Sequence, residues 1–251
     1  MIINRLILLL FIALFAFSMF HVFQSVYASY QTNQTYEQLR EEHSVQPLLN
    51  EKTVKEESNK TEELITFDKF EALLKQNKDT IGWITIPNTK IDYPVVQTDN
   101  NDFYLDHDFH GRSSEAGTIF MDYRNAPELT QKNTILYGHH MRDGSMFKDL
   151  VNYQDNDFFQ ENQIITIQTL HEETKWEVFS AYVTDTSYYY IEPNFRSNRD
   201  YLQFLQEVGA RSVIQKSLNW NEVEQILTLS TCSYEFNDAR FVVHARRVMN
   251  E

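Results

Sequence analysis

The chain of 251 residues contains one cysteine, Cys232. An intramolecular disulfide is thereby excluded. The thiol is either a small buried hydrophobe, the commonest state of an unpaired cysteine, or a reactive group. Basic clusters are also missing. The formal net charge is −14, and nothing in the sequence has the composition that neutralises a phosphate backbone, which argues against a nucleic-acid partner. There is no Gly-x-Ser-x-Gly elbow, which weighs against a serine hydrolase. Repeats are absent, and no acidic loop has the form of a calcium site.

Long apolar runs are confined to the N-terminus. Leu6 to Val26 is interrupted only by Ser18, His21, Gln24 and Ser25, about the length needed to cross a bilayer core as a helix. Arg5 precedes it and no Lys or Arg follows until Arg40, so the positive-inside bias puts residues 1–5 in the cytoplasm and the remainder outside. Val26-Tyr27-Ala28 would serve as a signal-peptide cleavage site, but the run outlasts an ordinary h-region, which favours a retained, single-pass anchor over 6–26. Both readings export the rest of the chain. Residues 27–65 are polar and charged and read as an extracellular stalk, helical around Tyr36 to Glu42. The folded domain is expected over 66–251. It opens with a short helix that sets Phe67, Phe70, Leu73 and Leu74 on one face.

From Asp79 the period changes. Two strands are expected between Asp79 and Gln97 around a Pro87-Asn88 turn, then further strands at Thr118–Met121, Thr134–Tyr137, Ile164–Thr169, Trp176–Val183, Gln225–Ser230 and Phe241–Val248. About eight strands suit a small closed barrel, a mainly β fold. Two helical inserts interrupt them, Ser145 to Tyr153 extending toward Phe159, and Asn198 to Val208.

Cys232 follows the alternating stretch Ile226-Leu227-Thr228-Leu229-Ser230-Thr231, which places the thiol near a strand end. Arg240 opens the next strand after a turn-prone hexapeptide. Adjacent strands joined this way bring a thiol beside a permanent cation, the beginning of a nucleophile site. Outside a membrane an idle free thiol is an oxidation liability, which favours a use for it. Thiol chemistry needs a proton partner, and Asn133-Thr134-Ile135-Leu136-Tyr137-Gly138-His139-His140 ends a strand in two histidines. His107, His110, His139 and His140 could instead ligate zinc, but adjacent histidines diverge and the other pair lies in a loop, so no metal and no cofactor is expected.

Taken together, Thr228-Leu229-Ser230-Thr231-Cys232, Arg240 eight residues on, and Tyr137-Gly138-His139-His140 resemble the sortases, Gram-positive cell-surface cysteine transpeptidases, and among them class B. Ile81-Gly82-Trp83-Ile84, Gly117 through Asn125, Gly144-Ser145-Met146-Phe147 and Phe179-Ser180-Ala181-Tyr182 extend the likeness over about Phe67 to Val248. The resemblance implies an eight-stranded sortase β-barrel with N-terminal helices and a helix inserted before the last strands. It implies Cys232 as nucleophile on the carbonyl of a Thr in a C-terminal sorting signal, Asn-Pro-x-Thr-Asn-like or Pro-x-Thr-Gly-like, of exported proteins. His139 would be the acid and base, and Arg240 the donor to the oxyanion or substrate backbone. Asn101, Leu105, Tyr137, Tyr190, Ile191 and Ser230 would line the peptide groove. A peptidoglycan amine would resolve the thioacyl intermediate, and the lipid bilayer is the remaining partner. Tyr188-Tyr189-Tyr190 is groove or barrel surface, and Ser233 stands where some relatives carry an acid. Two other readings stay open, a pilus polymerase and a catalytically weak barrel that acts as a surface binding module.

Overall fold

The computed structural model describes residues 2–53, 70–214, 216, 218–220, 225–232 and 238–248; for Ile2, Ile3, Arg5, Leu6, Ser25, residues 45–53 and Cys232 it describes the backbone alone. Phe67 and Ser233 lie outside the described residues. Eight strands close into one barrel: β1 (Thr80–Thr85), β2 (Asp92–Val96), β3 (Ile119–Met121), β4 (Asn133–Tyr137), β5 (Ile164–Thr169), β6 (Glu173–Thr184), β7 (Ile226–Cys232) and β8 (Arg240–Val248). Their spatial order is β1-β2-β3-β4-β7-β8-β6-β5. Pairings are antiparallel except β2 with β3 and β4 with β7, which run parallel. Asn88 takes φ +57° in the turn between β1 and β2, the left-handed conformation that Asn tolerates better than most residues.

The inward positions of these strands fill the barrel with Ile84, Val95, Ile119, Leu136, Ile165, Ile167, Trp176, Leu227, Leu229, Phe241 and Val243. A second apolar layer lies outside, where α4 (Asn198–Ala210) covers Phe179, Tyr182, Ile226 and Val242. Tyr201, Phe204, Leu205 and Val208 are its buried positions, at the i, i+3, i+4, i+7 spacing of one helix face. Ser197 caps the helix by accepting from the Asp200 N–H. The insert expected as one helix from Ser145 is a 3-10 stretch, Phe147–Gln154, followed by α3 (Asn156–Glu161). Asp155 divides them, because its carboxylate accepts from the Asp157 and Phe158 N–H groups and so starts a new helix.

The N-terminal region departs further from expectation. Helix α1 (Ile2–Thr53) runs unbroken through the stretch read as anchor and stalk. Its first half exposes Leu8, Phe11, Phe15, Phe20, Phe23 and Val26, and one stretch within Ile7–Ser44 is long and apolar enough to cross a membrane. Its second half is docked on the barrel rather than standing clear as a spacer. Tyr36 and Leu39 are buried in the core, and the Tyr36 hydroxyl donates to Gly117 O at 2.8 Å. Arg40 Nε donates to Asp92 O at 2.8 Å, and the His43 ring stacks on Trp83 with centroids 4.1 Å apart. Helix α2 (70–76) adds Phe70 and Leu73 to the same core.

Beneath α4 sits His244, fully buried on β8. The Thr228 hydroxyl spends its one proton on Asn133 Oδ1 (2.6 Å), so at 2.9 Å from His244 Nδ1 it accepts. Nε2 is then the acceptor for the Tyr182 hydroxyl, also at 2.9 Å. Burial pushes the imidazole pKa down to about 3, below the ordinary 6.5. Because the folded value is depressed, this group's contribution is complete above pH 6.5 and is lost as pH falls below it toward 3. Between pH 6.5 and pH 5 the loss from this one residue is about 2 kcal/mol. In urea unfolding of the full chain in detergent, the drop in stability from pH 7 to pH 5 is expected to shrink by about that amount in His244→Asn. An equal drop in both proteins would show that His244 does not carry the dependence.

Candidate active site

One rim of the barrel collects the strand ends that matter. Parallel β4 and β7 pair from Asn133↔Ile226 to Tyr137↔Ser230, and the Gly138 N–H continues the ladder to Ser230 O at 3.2 Å. Two residues beyond that last pair, His139 stands level with Cys232. Antiparallel β8 places Arg240 directly opposite Cys232 as its register partner. Neighbouring strands lie about 4.8 Å apart, so three consecutive strands deliver the three residues to one place. Glycine at 138 is required by close approach. A Cβ there would overlap Ile119 Cδ1 and the Phe147 ring, which press the strand end inward just before His139.

The two histidines differ. His140 is buried and bridged to Met146, whereas half-buried His139 faces outward. His139 Nε2 lies 2.6 Å from the carbonyl of Leu105. A carbonyl can only accept, so Nε2 carries a proton and the lone pair of the neutral ring falls on Nδ1. No acidic or amide orienting partner for His139 could be picked out of the sequence. The structure supplies a backbone group instead, brought by the 3-10 turn Phe103–Leu105. Arg240 Nη1 donates to Ala239 O at 3.1 Å, a contact that leaves other guanidinium donors for further hydrogen bonds.

A family model described as the sortase domain matches residues 84–248. Sortase B of Listeria monocytogenes is 41% identical over 183 residues, 72% of this chain and 74% of its own. Sortase B of Staphylococcus aureus is 41% identical over 179 residues, 70% of this chain and 73% of its own. A structure of the S. aureus sortase B–substrate complex superimposes with a TM-score of 0.76 at 35% identity, covering 89% of this chain and 99% of the other. A Bacillus anthracis protein similar to sortase B gives 0.74 at 36% identity, covering 88% and 98%. The chain belongs to the sortase family, class B. Sortases are cysteine-dependent transpeptidases, and this sortase is an enzyme of that kind. The eight-stranded barrel with its N-terminal helices matches theirs.

The residues expected along the sortase's peptide groove do not stand apart from one another. Asp122, fully buried after β3, joins several of them. It accepts from Asn101 Nδ2 (3.1 Å), from the Tyr137 hydroxyl (2.9 Å) and from Arg124 Nε and Nη2 (2.8 and 2.7 Å). Arg124 in turn reaches the loop between β6 and α4, donating to the Tyr189 hydroxyl (2.7 Å) and to Ile191 O (2.9 Å). One loop residue on, Tyr190 is buried with its hydroxyl 2.8 Å from Ser230 Oγ. Leu105 is exposed, and its carbonyl meets His139. Of the tyrosine run, Tyr189 is exposed and Tyr190 buried, so the run divides between surface and interior. Burial raises the Asp122 carboxyl, but hydrogen bonds from Arg124 and Tyr137 outweigh it and hold the pKa below the ordinary carboxylate value.

Asp122 and Arg124 were not singled out from sequence. They lie within the Gly117–Asn125 stretch, but nothing in their spacing marks either as buried. Removing the guanidinium strands a buried carboxylate, so Arg124→Met should cost about 2 kcal/mol or more in urea unfolding. Asp122→Asn combined with Arg124→Met should recover at least 1 kcal/mol of the summed single losses. Strictly additive losses would show that the two charges are not coupled.

Proposed function

We propose that this sortase cleaves a C-terminal sorting signal of exported proteins after a threonine and joins the new carboxyl end to a peptidoglycan amine. The signal is Asn-Pro-x-Thr-Asn-like or Pro-x-Thr-Gly-like. Cys232 yields its thiol proton to His139 and attacks the threonine carbonyl carbon, the C–N bond breaks, and His139 passes that proton to the departing amine. The amine of the cell-wall precursor then attacks the thioacyl carbon, its proton passes to His139, and the sulfur leaves. Arg240 donates to the oxyanion of both tetrahedral intermediates, a task for which its planar fork suits it better than lysine. Asn101, Leu105, Tyr137, Tyr190, Ile191 and Ser230 hold the peptide. The apolar start of α1 anchors the enzyme in the membrane with residues 1–5 inside and the barrel outside.

The observation that carries this reading is the strand register, which sets His139 level with Cys232 and Arg240 opposite it. The S. aureus neighbour, a substrate complex at TM-score 0.76, supports a peptide groove on the same barrel.

Turnover of an internally quenched sorting peptide tests the assignment. Cys232→Ala should abolish both cleavage and transfer, and normal turnover in that variant would refute the proposal. His139→Ala should lower kcat/KM at least a hundredfold, and His140→Ala by much less. The reverse order would move the acid–base role to His140. Arg240→Lys should lose most of kcat with a smaller change in peptide KM, as expected for a group that acts on the transition state.

A further inference from the structure

The Leu105 carbonyl that meets His139 Nε2 is a group no side-chain substitution can remove. What holds that carbonyl in place can be traced. It ends the 3-10 turn Phe103–Leu105, and this turn leans on Gly117 and Thr118. The Thr118 N–H donates to Tyr104 O at 3.0 Å. A Cβ on residue 117 would stand 2.5 Å from Tyr104 O and 2.7 Å from Leu105 O, and its φ of +59° is one that side chains rarely adopt. Tyr104 is also fixed at its far end, where its hydroxyl accepts from Asn77 Nδ2 (2.8 Å) and donates to Asp79 Oδ2 (2.9 Å). The turn therefore has little freedom to retreat from an added side chain.

The Gly117–Thr118 peptide is in turn held from α1. Tyr36 is buried and donates to Gly117 O at 2.8 Å, with Thr118 Oγ1 3.1 Å away. Thr118 spends its hydroxyl proton on His107 O (2.9 Å), so between the two hydroxyls Tyr36 is the donor. Burial pushes the Tyr36 phenol pKa up, and the proton stays in place. Level with Ser29 and Thr32, a cavity of about 620 Å³ lies between α1 and the loop that carries His139. Tyr36 lies four residues beyond Thr32, about one helical turn. There a packed route runs from the helix through Gly117 and the Leu105 carbonyl to the imidazole.

We infer that Gly117 and Tyr36 are positioning residues for the acid–base histidine, because they set the Leu105 carbonyl that holds the Nε2 proton and so keep the lone pair of His139 on Nδ1. Both act through another group. A displaced carbonyl frees the ring to take the other tautomer or to turn away, and the proton partner of Cys232 is then correct in only a fraction of molecules. Of the six residues assigned to the peptide groove, only Leu105 lies on this route, and it does so through its carbonyl. The loss should therefore fall on kcat rather than on peptide KM. The catalytic consequence rests on the proposed transpeptidation, whereas the tautomer of His139 does not.

The test uses the full chain in detergent, isotope-labelled at the imidazole nitrogens, with the His139 signals assigned by their loss in His139→Gln. Turnover is read on an internally quenched Asn-Pro-x-Thr-Asn peptide. At about pH 8, where an ordinary imidazole is neutral, the parent should show His139 protonated on Nε2 and bare on Nδ1. Gly117→Ala should lower kcat about twentyfold and Tyr36→Phe about fivefold, each with peptide KM within about twofold and a mixed-tautomer signal at His139. Arg40→Gln, which loosens α1 at Asp92 without touching Gly117, should keep the parent's kcat and tautomer. The parent's kcat in both variants overturns the inference, as does a reduced kcat with an unmoved tautomer. A loss in Arg40→Gln equal to that in Tyr36→Phe also overturns it, since docking in general would then be responsible. Should Gly117→Ala fail to fold, Tyr36→Phe decides alone, because its ring still fills the same place in the core. A parent chain that cleaves no sorting peptide, while both variants shift the tautomer, would refute the transpeptidase reading and uphold the positioning.

Discussion

The parallel pairing of β4 with β7 is the constraint on which the rest depends. An antiparallel partner would send the two strand ends to opposite rims. In the parallel arrangement both chains leave the barrel at one rim, and the registers from Asn133↔Ile226 to Tyr137↔Ser230 fix how far each has travelled when it gets there. A slip of one residue would turn Leu227 and Leu229 out of the core and bury Thr228 and Ser230 among apolar side chains, so packing enforces the register. The alignment of His139, Cys232 and Arg240 is thus inherited from hydrophobic burial well below the rim. Parallel strands cannot be joined by a tight turn, and the connection from β4 to β7 carries β5, β6, α3 and α4. The fold obtains its site geometry from a pair of strands about ninety residues apart in sequence.

Around that fixed rim the polar network sets the more adaptable parts. Asp122 is shielded from water yet ionised, which is tolerable only because Arg124, Tyr137 and Asn101 surround it with donors. Two of the guanidinium's remaining donors go to Tyr189 and to the Ile191 carbonyl, so the long loop between β6 and α4 is tied to the end of β3. The peptide residues proposed on that loop therefore share an anchor with Asn101 and Tyr137. A buried charge is a weak source of net stability but a sharp source of geometry, since few alternative loop positions would satisfy all of its partners.

How far the chain could be read in advance follows from which forces are local. Cys232 stood out because Ile226, Leu227 and Leu229 alternate with polar residues and the thiol is alone. The eight strands were legible for the same reason of period. Backbone partners left no trace: the Leu105 carbonyl that holds His139 is supplied from 34 residues away, and any residue type would offer it. The buried pairing of Asp122 with Arg124, two residues inside a stretch already quoted, was not legible because charge shows no burial in sequence. The docking of α1 did leave a signal. Tyr36, Leu39, Arg40 and His43 fall at i, i+3, i+4 and i+7 inside a polar stretch, and that stripe is the face now packed on the barrel. High polarity elsewhere in the stretch hid it. At Asp155 a single capping carboxylate split what periodicity presented as one helix.

That docked helix bears on more than stability. A flexible stalk would let the catalytic rim sample many heights and tilts above a membrane. A helix that continues from the apolar run into the barrel core, held by Tyr36 on Gly117, Arg40 on Asp92 and His43 on Trp83, allows far fewer. Each contact lies within five turns of Val26, so the link between the apolar run and the barrel is short and stiff. The same face of α1 walls the cavity beside His139. If the helix bent or undocked, the barrel would keep its strand register and its peptide side, because neither contains α1 residues, but the cavity would lose its far wall. The docked helix and the cavity are therefore one structural feature seen from two sides, and a single helix face links the end of the apolar run to the surroundings of the imidazole.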